Sequence, residues 1–190
     1  MLTSRYSRDK FTLASKLHNG FFNSLEDRDT VFNQQLRKTG VEYFDYYMLH
    51  GIESGSLPKY EQFDCFSWLK DKKEKGLVKT AGISFHATAE LLDEILTKYP
   101  FLEFVQLQIN YLDWDSQWIQ SKACYDVAVK HGKWVTVMEP VKGGTLAKVP
   151  AEVEELFKAH DPSLSPASWA IRFAASLPEV KMVLSGMSSL

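Results

Sequence analysis

The sequence predicts an α/β chain built on a parallel sheet, of the kind that makes up a TIM-type (β/α)8 barrel. Two observations point there. Six short apolar runs end in polar or turn residues along the chain, and helix-like stretches usually follow them. Side chains able to do chemistry gather at the C-terminal ends of those runs, the face on which such barrels carry their sites. A third observation limits the reading: 190 residues hold about six of the eight units, where a full barrel takes about 250 residues. We therefore expect an incomplete barrel, forming one domain over residues 1–190, and a chain that is a fragment of a longer protein. A barrel lacking two staves has open sheet edges, so self-association through those edges is expected as well.

The first run, FTLASKL, ends near Lys16 and is followed by Asn19 and Gly20. Ser24, with Asp27 three residues on, marks a helix start. That helix sets Val31, Phe32 and Leu36 on one side and stops at Gly40. The aromatic run YFDYYMLH ends at His50, and GIESGSLPKYE reads as a long loop after it. A helix over QFDCFSWLKDKKEKG has Phe63, Phe66 and Leu69 on its apolar face, a basic solvated end, and a stop at Gly76. The run VKTAGIS ends at Ser84, and a helix is expected over residues 88–99, closed by Pro100. FVQLQIN carries Gln108 and leads through the aromatic loop YLDWDSQW to a helix around KACYDVAVKHG. WVTVMEP ends at Pro140 before the turn VKGGTLAKVP. Two helices, PAEVEELFKAH and SPASWAIRFAASLP, then precede the last run, VKMVLSG, which ends at Gly186.

Composition excludes several classes. The net charge is −2 with mixed signs, and 45% of the residues are hydrophobic. That balance favours a globular core and neither nucleic acid nor an anionic membrane as a partner. The N-terminal MLTSRYSRDK lacks an apolar signal region, and no run is long enough to span a bilayer. Cys65 and Cys124 stand alone, without metal-type spacing, which suggests buried thiols in a reducing cytoplasm.

Strand alternation puts Thr12, Ala14 and Lys16 on one face of the first run, and Tyr46, Met48 and His50 on one face of the second. If those faces point inward, Lys16 and His50 converge at one mouth. A cation and an imidazole there suit polarising a carbonyl and lowering a neighbouring acid's pKa. Lysine as an amine nucleophile is a competing use of Lys16. Ser84 and Gln108 present hydrogen-bonding groups suited to an amide. The turn Pro140, Val141, Lys142, Gly143 and Gly144 either brings backbone N–H groups to a pyrophosphate or is an ordinary βα turn. Ser185, Gly186, Met187 and Ser188 follow the last run, where barrels often hold phosphate. Of the other four histidines, His18, His86, His131 and His160, only His86 falls near the expected mouth.

Lys16 in FTLASKL, His50 in YFDYYMLH, and the succession GIS, Gln108, EPVKGG and SGMSS together resemble the aldo-keto reductase family from about residue 10 onward. MEPVKGGTLA, ASWAIRFAASLP and VLSGMSS are similar to its bacterial subgroup with a ferredoxin-like iron–sulfur segment after the barrel. The resemblance implies strands three to eight of the barrel, and reduction of aldehydes and ketones with NADPH or NADH. It implies that Lys16 lowers a tyrosine's pKa and that His50 orients the carbonyl of a small-molecule substrate. It also implies that Ser84 and Gln108 hold the nicotinamide carboxamide, that Phe85 stands where many members have an asparagine for that task, and that Met138 stands where many stack an aromatic ring. Glu139, Pro140, Val141, Gly143 and Gly144 follow the pyrophosphate loop, and Gly186, Met187, Ser188 and Ser189 begin the loop reading the adenosine end. The family's catalytic Asp and Tyr belong upstream of Lys16, where this sequence has no counterpart, since Tyr6 lies too close to the strand. We expect little or no turnover from this chain alone. Nucleotide binding without catalysis is the alternative. An iron–sulfur cluster would belong only to a longer full-length protein.

Overall fold

A computed structural model describes residues 2–186. Six strands form one sheet in the order β1 to β6, and every neighbouring pair is parallel. The strands are β1 (Ala14–His18), β2 (Phe44–Ile52), β3 (Val78–Phe85), β4 (Phe104–Gln108), β5 (Trp134–Met138) and β6 (Val180–Val183). The helices are α1 (Leu25–Thr39), α2 (Leu57–Gln62), α3 (Cys65–Glu74), α4 (Ala89–Lys98), α5 (Ser121–Lys130), α6 (Ala151–His160) and α7 (Pro166–Ala175). Sequential order with parallel pairing is the arrangement of barrel staves, as the alternation of runs and helices predicts.

One face of the sheet carries the core. Leu17, Tyr47, Leu49, Ile83, Val105 and Val137 are buried in a single cluster with apolar residues of the helices. Phe32 of α1 packs edge-on against Phe44, Tyr47 and Trp68. The opposite, inner face carries Lys16, Tyr46, Met48, Phe104, Gln106, Trp134 and Thr136 around a cavity of about 180 Å³. Its floor is aromatic: Phe104 stacks on Trp134 at 4.7 Å, and Tyr46 stands edge-on to both. Gly82 makes room for this plug, because a Cβ there would lie 2.5 Å from the Phe104 ring.

Helix boundaries follow local chemistry. Ser24 caps α1 by accepting from the Asp27 N–H, while the Asp27 carboxylate reaches back one residue further than expected, to the N–H of Asn23. Gly40 closes α1 at φ 68°, the left-handed conformation that glycine adopts without a Cβ penalty.

Three expectations are corrected. The first strand does not cover FTLASKL but begins at Ala14 and runs on to His18. Just before it, the Leu13 carbonyl accepts from the N–H groups of Asp45 and Tyr46, and the Asp45 carboxylate, paired with Arg8, accepts from the Leu13 N–H at 2.7 Å and so takes that N–H out of strand pairing. The segment GIESGSLPKYE is not wholly a loop, since β2 continues to Ile52 and α2 begins at Leu57. The helix expected from Gln62 to Gly76 is broken at Asp64, whose φ is 48°. At the break Arg28 donates to the carbonyls of Phe63 and Asp64, and the Asp64 carbonyl also accepts the first helical bond of α3, from the Trp68 N–H at 3.1 Å.

Candidate functional site

The C-terminal ends of β1 and β2 form one side of the mouth. Strand pairing sets Lys16 against Met48 and His18 against His50. Lys16, His18 and His50 line one hollow with Ser15, Phe21 and Gln35. Lys16 is exposed in this arrangement, so its position follows from strand alternation alone and not from a partner that offsets burial. Gln35 fixes the strand below it, donating to the Lys16 carbonyl at 2.9 Å and accepting from the Tyr47 hydroxyl at 2.7 Å.

Burial pushes the His50 imidazole down to about 4, with the positive charges of Lys16, His18 and His86 acting in the same direction. His50 is therefore neutral near pH 7 and offers an N–H without carrying charge, a state suited to polarising a carbonyl. Burial lowers His86 too, against the opposing pull of Glu53 and Glu139. The sequence reading missed His18. Its ring lies 5.1 Å from that of His50, edge to face, and it belongs to the mouth as much as His86 does. The signal was present as the second residue after Lys16 on the same strand face.

Ser84 is fully buried, and its hydroxyl accepts from the Gly51 N–H at 2.7 Å. Gly51 sits at a bulge of β2 with φ 66°, and its carbonyl accepts from the Ser56 hydroxyl. Gln108 ends β4, where its side-chain amide donates to Asp113 at 3.2 Å. Asn110 and Lys142 converge on the same carboxylate, at 2.9 and 2.6 Å. Burial by itself raises the Asp113 carboxyl, and the bonds from Lys142, Asn110 and Gln108 outweigh it, leaving the pKa below its usual value. This network also escaped the sequence reading, because Lys142 bonds to Asp113 from 29 positions away. It ties the loop after β4 to the turn after β5.

Met138 ends β5, and its sulfur accepts from the Gln106 amide at 3.4 Å. In the following turn Glu139, Lys142, Gly143 and Gly144 all have positive φ, while Pro140 is buried and Val141 half-buried. Nothing stands within 4 Å of where a Cβ would be at Gly143 or Gly144. The turn is thus open on its glycine side, with the Lys142 ammonium beside it.

One expected position, Phe85, turns its side chain away from this mouth. The Phe85 ring is turned to the helix side and buried in the core cluster, so only its backbone reaches the strand end. Ser185 and Gly186 are exposed beyond β6, while Met187, Ser188 and Ser189 lie outside the described residues. Among the described residues, no group of three His, Cys, Asp or Glu side chains could hold a metal ion. No helix among them is long and apolar enough to cross a membrane. Cys65 and Cys124 are free and buried, and burial pushes their thiols up to about 11 and about 12, consistent with inert core thiols.

Solved structures share this fold. An aldo-keto reductase from Bacillus halodurans in its holo form superposes with a TM-score of 0.74 at 20% identity, covering 97% of this chain and 64% of that one. An aldo-keto reductase from Klebsiella pneumoniae in complex with NADPH gives 0.71 at 14% identity, covering 95% and 61%. A thermostable aldo-keto reductase in complex with the inhibitor epalrestat gives 0.75 at 15% identity, covering 97% and 64%. The chain thus spans less than two thirds of the length of these structures. No curated protein matches the sequence. The family model described as the aldo/keto reductase family matches residues 1–190, and the chain belongs to that family.

Proposed function

We propose that the chain carries the carbonyl and nicotinamide-binding side of an NAD(P)H-dependent reductase of aldehydes and ketones. One observation carries this reading: Lys16, His50, Ser84, Gln108 and Met138 lie within the last three residues of five consecutive strands, and an open glycine turn follows the last of these. The donor set suits the cofactor. Gln108 offers its side-chain amide to a carboxamide and the turn from Glu139 to Gly144 offers backbone to a pyrophosphate, while the buried Ser84 hydroxyl, held by Gly51, and the Lys142 cation, held by Asp113, would have to exchange those partners to join them. When bound, the dihydronicotinamide supplies the hydride. The protein's own part is to hold the carbonyl. The neutral His50 donates to the carbonyl oxygen, and Lys16 places positive charge beside the oxygen as negative charge develops on it.

A proton donor is the part these residues do not supply. Tyr60 reaches His50 only at its backbone carbonyl, from the helix side, and Tyr46 belongs to the aromatic floor. General acid catalysis contributes roughly 10²–10⁴-fold, so the reading includes slow or negligible turnover by this chain and leaves nucleotide binding without turnover as its second form. An iron–sulfur cluster does not fit the described residues, whose two cysteines are buried in the core. Among the described residues β1 and β6 each have one strand neighbour, which supports pairing of the open edges with a second copy. The test is a titration of NADPH and NADH followed by nicotinamide fluorescence. Saturable binding that Gln108→Leu weakens supports the reading, and no binding of either nucleotide at millimolar concentration refutes it. NADPH consumption with a model aldehyde at the rate of an intact reductase would refute the expectation of slow turnover.

A further inference from the structure

His18 has features that the reduction of a simple aldehyde leaves unused. Its Nδ1 accepts from the Gly20 N–H at 2.9 Å. A ring nitrogen that accepts carries no proton, so the proton sits on Nε2, and the imidazole presents a fixed donor. The ring is held from two sides, by Phe21 at 5.7 Å and by His50 at 5.1 Å, both edge to face. The hollow these groups line contains Lys16 and no carboxylate. Gln35, the remaining long polar side chain there, is already engaged on both its amide nitrogen and its oxygen. The polar groups left to meet a ligand are thus a cation, two imidazoles and the Ser15 hydroxyl, none of them negatively charged.

We infer that this hollow selects carbonyl compounds with a carboxylate on the adjacent carbon, 2-oxo acids, with the keto oxygen at His50 and the carboxylate at His18. The argument rests on ring proximity: imidazoles 5.1 Å apart between centroids stand close enough for one small ligand to touch both, and a 2-oxo acid presents two neighbouring oxygens to such a pair. Lys16, on the same face of β1 two residues before His18, adds charge complementarity on the carboxylate side. Phe21 is 70% exposed and offers its ring to an apolar substituent on the far side of the keto group. A plain aldehyde would leave the His18 donor without a partner, and this gives the site a preference and not merely a tolerance.

The inference rests on the reductase reading for the role of His50, but its test needs no turnover, so the two stand or fall separately. The full chain, labelled with ¹⁵N in its histidine rings, is titrated with benzoylformate and with methyl benzoylformate, which keeps the skeleton and removes the charge. The expected result is movement of the His18 and His50 resonances together, and roughly tenfold tighter binding of the acid than of the ester, as for a hydrogen bond to a charged group. His18→Phe should reduce that preference to the part Lys16 supplies, whereas His18→Gln, which keeps a neutral donor, should retain most of it. Equal binding of acid and ester by the unmodified chain would overturn the proposal, and so would an unmoved His18 resonance or an unchanged preference in the folded His18→Phe variant.

Discussion

The hydroxyl of Tyr60 donates to the backbone carbonyl of His50 across 2.6 Å, and the carbonyl of Leu17 lies 3.1 Å from the same oxygen. A residue of α2 thereby pins the ends of β1 and β2 together just below the mouth. Tyr60 is fully buried, and burial raises its pKa well above the usual phenolic value, so it remains a donor throughout the accessible pH range. Removing the hydroxyl leaves two carbonyls competing for no partner. Tyr60→Phe should cost about 1–3 kcal/mol, read as a lower urea midpoint with unchanged slope. An unshifted midpoint would show that the strands meet without this bond.

A second prediction concerns the inner face. At Gly82 an added Cβ would meet two atoms of the Phe104 ring at 2.5 Å and the Phe104 backbone oxygen at 2.6 Å. The ring has no room to retreat, since it stacks on Trp134, and the backbone oxygen belongs to the strand itself. Gly82→Ala should therefore destabilise by at least about 1–3 kcal/mol. Trimming the ring by Phe104→Leu should not rescue it, because the contact with the oxygen remains. Full rescue in the double variant would place the whole conflict in the side chain.

These two contacts mark where the sequence was legible and where it was not. Period-two alternation identified the faces, so Lys16, Tyr46 and Met48 were found on the inner surface, where they line one cavity. The helix caps at Ser24 and Gly40 were equally readable, being local chemistry. The place of His18 beside His50 followed from the same alternation, but only once β1 is seen to run on to His18 and not to end near Lys16. The break between α2 and α3 was hidden because the Arg28 side chain that meets it comes from 35 residues away. The glycines of the turn after β5 were visible, but the Lys142 bond to Asp113 that holds the turn was not.

That bond gives a third prediction. Asp113 is nearly buried, its side chain 9% exposed, and Lys142 is its cationic partner at 2.6 Å. Lys142→Met would leave the carboxylate with only the amides of Asn110 and Gln108, a loss of about 1–3 kcal/mol. Lys142 itself has φ 49°, a conformation uncommon outside glycine, so the turn should relax once released. Faster amide hydrogen exchange over residues 139–146, with β1 and β2 unchanged, is the expected signature. Unchanged exchange would mean that Pro140 and Leu146, both buried, hold the turn without the ion pair.

The fourth prediction follows from the histidines of the mouth. His50 titrates at about 4 in the folded chain, against 6.5 ordinarily, and His86 is also lowered. Below pH 6.5 the unfolded chain takes up protons at these positions while the folded chain does not. The unfolded state then binds more protons, so stability rises with pH across this interval. The contribution is fully present above 6.5 and is lost progressively as the pH falls towards about 4, below which His50 adds no further slope. Thermal melts should therefore fall from pH 7 to pH 4, and His50→Gln, which cannot take up a proton, should flatten part of that decline. Lys16→Met should act differently, leaving the imidazole in place but removing one of the charges that lower its pKa. In that variant the His50 ring, followed by NMR, should titrate closer to its ordinary value. If the His50 midpoint stays where it is when Lys16 is gone, the remaining causes, burial first, set it, and the two side chains at the mouth are not electrostatically coupled.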